Sequence, residues 1–127
     1  MAIGNYLENA ILSHITNQTI YAPPGILYVA LYTSDPTDYN TGNEVIAPEY
    51  ARQEIVFSAP IDGKISNTNN VLFSPATTLW GVITHTAIFD QSTGGNMLFY
   101  GALETSSTIN ISDQAVFYAN DISFTLD

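Results

Sequence analysis

His14 and His85 are the only imidazoles in this sequence, and imidazole is the side chain whose unperturbed charge changes near neutral pH. A zinc site or an acid–base pair built on either would need partner ligands at metal spacing, and none stands near them. Both therefore read as hydrogen-bonded histidines, one on a helix and one in a strand. In "SDPTDYN" (34 to 40), Asp35, Asp38 and Asn40 offer oxygens to a calcium ion, but the alternating acids, central glycine and terminal glutamate of a calcium loop are missing. Asp and Asn also bond nearby backbone amides, so this stretch reads as a turn-rich loop. Asp62, Asp90 and Glu104 are scattered, with no spacing that argues a catalytic pair. No phosphate-cradling glycine loop ending in lysine and no nucleophile elbow occurs, and "STGGN" (92 to 96) is explained by a hairpin turn. No catalytic, cofactor or metal site is expected, and the chain does not read as an enzyme.

Four residues are candidates for structural or interface roles: Tyr50, Arg52, Trp80 and Asp90. Trp80, the single tryptophan, lies in "TTLWGVIT", where it could stack on a sugar or fill a core; its apolar flanks favour burial. Arg52, in "PEYARQEIVFSAP" (48 to 60), is one of only two basic side chains, the other being Lys64. Arginine meets a carboxylate through two parallel hydrogen bonds and stays charged at any accessible pH. The default expectation is an internal ion pair, to Asp90 or Glu44. The alternative is an acid on a neighbouring copy.

The elements that must position these residues follow from composition and periodicity. At 127 residues the chain is read as one domain, 1–127, able to bury a core without staples; with no cysteine, disulfides and thiol chemistry are absent. Formal net charge is −10, so phosphate backbones and anionic lipid surfaces are repelled, and neither nucleic acid nor membrane is expected as a partner. Charged residues are 11 % of the chain, against about 25 % in an average soluble domain, so Ser, Thr and Asn must carry much of the solubility. The start carries Glu8 and no basic n-region, unlike a secretory signal. The longest apolar run, "ILYVALY" (26 to 32), falls far short of the roughly 20 residues that span a bilayer.

Ile3, Leu7, Ala10, Ile11 and Ile15 recur at helical spacing, predicting a short N-terminal helix or arm within 1–20, with Asn5 as N-cap and Glu8 closing a capping box. Pro23 and Pro24 forbid its continuation. From 26 to 127 the pattern changes to seven or eight strands: 26–33, 52–59, 71–78, 83–90, 96–104, 107–112, 115–119 and 122–127. The fold class is all-β, an antiparallel β-sandwich, jelly-roll or Ig-like, with a short N-terminal helix.

The segments "LYVALYTSDPT" (27 to 37), "EYARQEIVFSAP" (49 to 60), "ISNTNNVLFSPAT" (65 to 77), "LWGVITHTAIFD" (79 to 90) and "GGNMLFYGAL" (94 to 103), in this order, resemble a family of small structural proteins of tailed bacteriophages and prophages, loosely called tail-fibre-like. Thr78 and Leu79 depart from that pattern, which favours glycine or an acid there. The resemblance implies a virion component with a β-sandwich core. Its first implied role is capsid decoration, or cement: copies of the chain, as trimers or other small homo-oligomers made in the host cytoplasm, bound to the major capsid protein on the outer head surface and stabilising the expanded lattice. The runner-up is a tail-fibre or receptor-binding module contacting host glycans through Tyr21, Tyr39, Tyr50 and Tyr118. A neck or tail adaptor is the third.

Overall fold

The computed structural model describes residues 1–126. Its elements in chain order are β1 (Ala2–Ile3), α1 (Asn5–Ile15), β2 (Leu27–Tyr32), β3 (Gln53–Ile55), β4 (Lys64–Ser66), β5 (Val71–Leu72), β6 (Gly81–Phe89), β7 (Met97–Ile109), β8 (Val116–Phe117) and β9 (Ser123–Thr125). The all-β, sandwich-like expectation with one short helix holds. One layer is a five-stranded antiparallel sheet ordered β1-β7-β6-β2-β3, and the facing layer is two short ribbons, β4 with β9 and β5 with β8.

The sheet is covered on both faces, which is why "LYVALY" is continuously apolar instead of alternating. Val29 and Leu31 of β2 point into the main core with Val71, Phe73, Trp80, Ile88 and Phe99. Ala30 and Tyr32 point the other way, to Ala87, Phe89 and Met97. Phe99 of β7 stacks on Phe124 of β9 at 4.6 Å, joining the sheet to one ribbon, and Phe73 meets Phe117 edge-on at 6.5 Å within the other ribbon's side of the core.

Several boundaries differ from those read in the sequence. The capping box does not form: Gly4 is the N-cap, without a side-chain bond, because its amide is held by Leu98 O at 2.8 Å and a Cβ there would stand 2.9 Å from Met97 O. Helix α1 is stopped at Thr16 by Asn17 in a left-handed conformation, before the prolines are reached. Ile15, expected on the buried stripe, is 69 % exposed, while Leu7, Ile3 and Ile11 pack on the main core. The strand read over 52–59 shrinks to β3, and those read over 96–104 and 107–112 fuse into β7. That fusion needs two irregularities. Leu98 is an extra residue between the pairs Phe89–Met97 and Ile88–Phe99, and a longer break separates His85–Ala102 from Ile83–Ser107. Strands β1 and β4 were not anticipated, being short and weakly patterned.

Candidate functional site

Helix α1 turns one polar row outward: Asn5, Asn9 and Ser13, at i, i+4 and i+8, rise about 6 Å per step. With Tyr6 and Ala10 they form one wall of a groove of about 830 Å³. Its other walls are the segment Thr19–Ala22 after the helix, Asp38–Asn40 of the long loop, and Gly95–Met97 of the β6–β7 hairpin. Tyr39 is 74 % exposed there and Tyr6 42 %.

Each wall is fixed from beneath. The amide of Asn5 donates to Asp38 O at 2.8 Å, tying helix to loop. Tyr32 donates its hydroxyl to Asn40 Oδ1 at 2.6 Å, and Tyr100 to Asp38 Oδ1 at 2.5 Å. The Asp38 hydrogen bond and the desolvation and nearby charges of Asp38, Asp35 and Glu8 push the Tyr100 hydroxyl up to about 12. Burial, and then the charge of Glu44, push Tyr32 up to about 12 as well. Asn96 donates its amide and its Nδ2 to Asp90, at 2.7 and 3.0 Å, which closes the hairpin loop. These bonds leave the side chains of Asn5, Asn9, Ser13, Tyr6 and Tyr39 without a hydrogen-bonding partner among the described residues.

Arg52 joins two of the walls. Its Nε and Nη2 grip both oxygens of Glu44 at 2.9 and 2.8 Å, and its Nη1 donates to Gln91 O and Gly94 O at 3.0 and 2.7 Å. The guanidinium lies 3.6 Å over the Phe89 ring and its side chain is only 8 % exposed. Burial opposes its charge, but the Glu44 hydrogen bonds and charge outweigh that and raise its pKa. Of the two carboxylates expected to pair with it, Glu44 does so; Asp90 instead caps the hairpin turn. Glu44 belongs to the loop that carries Asp38–Asn40, and Gly94 to the hairpin that carries Gly95–Met97, so one buried cation holds both.

The remaining candidates are structural. Tyr50 is no surface aromatic: it stacks on Phe73 at 6.0 Å, meets Trp80 edge-on at 5.5 Å, accepts from the Leu31 amide and donates to Glu44 Oε2. Burial drives its pKa upward, so it stays neutral. Trp80 is 5 % exposed and donates Nε1 to Glu49 Oε1 at 2.8 Å, so burial is its fate. The same oxygen takes the amides of Thr77 and Thr78. Desolvation works against the Glu49 carboxylate, yet these bonds, led by that from Trp80, lower its pKa to about 2. Tyr118, 62 % exposed, lies outside the groove on the turn held by Asp121. Of the four tyrosines named from sequence, Tyr21 and Tyr39 line the groove. Tyr6 and the row Asn5, Asn9 and Ser13 were missed; the signal was the polar face of the helix, which a solvated surface explains equally well. His14 accepts from the Tyr21 amide through Nδ1, and His85 sits beside Thr84. No cluster of three metal-ligating residues exists among the described residues.

The family model for podophage GP4 fiber I protein gp80 matches residues 2–125. The chain belongs to that family. A member of the gp80 fiber I family is a structural protein of the phage virion, and the resemblance to tailed-phage structural proteins is thereby placed on a named fibre family. Capsid decoration is not what the family's description says. No curated protein matches the chain at a significant level. No helix among the described residues is long and apolar enough to cross a membrane.

Proposed function

We propose that this gp80-family chain is a fibre module that binds a saccharide of the bacterial surface in the groove beside α1, and that it acts by binding, without catalysis. The observation that carries this reading is the groove itself. Unpartnered amide, hydroxyl and phenol groups line a concave surface whose walls are already fixed. Tyr, Asn and Ser are the side chains that recognition surfaces use for adaptable hydrogen bonding at low entropic cost. Tyrosine rings accept the apolar faces of pyranoses while their hydroxyls stay wet. The fibre description of the family points the same way.

Seating on the head lattice, with the major capsid protein and further copies of this chain as partners, is the competing reading. One experiment separates them: the purified chain is offered intact host cells and expanded capsid shells of its phage. Saturable binding to cells that falls by about tenfold in Tyr39→Ala supports the groove reading. Binding to shells at hundreds of copies, with none to cells, overturns it in favour of decoration.

A further inference from the structure

Resting on the groove as a saccharide site, we infer that its ligand is an uncharged saccharide, and that polysaccharides bearing carboxylate, sulfate or phosphate groups are rejected. The argument begins with an inventory of cations. The whole chain has two basic side chains, Lys64 and Arg52, and the Met1 α-amino group belongs to a residue that lines a different cavity. Lys64 lies on β4, in the ribbon layer, and is not part of the groove. Arg52 is committed elsewhere: four of its five N–H donors go to both Glu44 oxygens and two backbone carbonyls, and its guanidinium lies on the Phe89 face. An anionic sugar entering the groove therefore meets no counter-charge.

It also meets carboxylates. Asp38 lines the groove, Glu8 lies in the first turn of the helix that forms one wall, and Asp90 binds Asn96 of the hairpin that forms another. The positive end of α1 would ordinarily favour an anion. Here that end is already served: the Asp38 carbonyl accepts the first helical amide, and Glu8 stands in the first turn of the helix. What remains to recognise a ligand is neutral: Asn5, Asn9 and Ser13 on the helix, and the rings of Tyr6 and Tyr39. Those groups suit vicinal hydroxyls and apolar ring faces, and an anionic substituent would lose its hydration with nothing to replace it.

The test uses the full chain and polysaccharide from the envelope of the phage's host, split by anion exchange into a neutral and an acidic pool. Adsorption to intact cells, abolished by periodate, is the control for the saccharide reading. The wild-type chain is expected to bind the neutral pool, with less than about twofold change between about 20 and 300 mM salt, and Tyr39→Ala to weaken it by about tenfold. Asn9→Lys, a fully polar exchange on an exposed helical position, places a cation in the groove and is expected to raise affinity for the acidic pool at least about fivefold. Wild-type preference for the acidic pool, or binding that weakens steeply with salt, overturns the charge inference and leaves the receptor reading intact. Absence of adsorption to cells, or adsorption indifferent to periodate, removes the saccharide reading and this inference together.

Discussion

Replacing Arg52 by alanine removes four hydrogen bonds and a ring contact at once. Breaking a buried ion pair by deleting one member costs about 3–5 kcal/mol, because the abandoned charge stays desolvated. The abandoned Glu44 side chain is 24 % exposed and keeps its bond from Tyr50, so water and tyrosine recover part of that loss. The lost contact with Phe89 adds about 0.5–1 kcal/mol. The sum is about 3 kcal/mol, which for a chain of this length lowers the melting temperature by about 12 °C. Arg52→Lys keeps the charge but not the two-pronged fork, and should fall between the two. Thermal melts followed through the single tryptophan, Trp80, read the unfolding. A double-mutant cycle with Glu44→Gln should return a coupling of at least about 1.5 kcal/mol. Melting unchanged in Arg52→Ala, or additive effects of the two substitutions, would refute the internal tether and return Arg52 to an interface between copies.

Three further substitutions test the supports individually. Tyr50→Phe strands the Leu31 amide and one bond of Glu44 in the core, and should cost about 1–3 kcal/mol by chemical denaturation; near-neutral stability would mean that water replaces the hydroxyl. Glu49 has a folded pKa near 2 against an ordinary value of 4.5, so its stabilisation is complete above about pH 4.5 and is lost as pH falls toward 2. Glu49→Gln should therefore melt lower than wild type at pH 7, with the gap closing by pH 2; a gap independent of pH contradicts the assignment. Asn67, 0 % exposed, donates to Asn69 O and Tyr118 O and accepts from the Ile122 amide, so Asn67→Ala should destabilise by about 3 kcal/mol and raise amide exchange at Ile122.

Much of the scaffold was legible because its signals are local. The apolar run in β2, the glycines of the β6–β7 turn and the helical spacing of Leu7 and Ile11 act over a few residues. Arg52 could be read as a tether because a guanidinium, which grips a carboxylate with two parallel bonds, stands in a chain with twelve acids to choose from. The groove could not. Its walls come from residues 5–22, 38–40 and 95–97, brought together by the pairing of β1 with β7 and by the Asn5 bond to Asp38. Sequence could not separate Tyr39 from Tyr50 either: each follows an acidic residue in a loop stretch, and only the closure of Phe73 and Trp80 around Tyr50 packs it against the core. The fused strand β7 was hidden because its residues Glu104 to Thr108 are polar and exposed, the composition of a loop.

The scarcity of cations links the scaffold to the proposed site. A surface dependent on Ser, Thr and Asn for solubility leaves few charges to hold loops in place, and long loops ordered only by hydroxyls would be loosely fixed. One arginine placed where the two wall-forming loops meet does that work with a desolvated fork that salt screens poorly. Because Arg52 is consumed there and Lys64 stands on the ribbon layer, no positive charge remains for the groove. Rigidity of the walls and the proposed preference for uncharged sugars then have one origin: a chain with so little positive charge can fix its loops with an ion pair or attract an anion with it, and Arg52 is committed to the first.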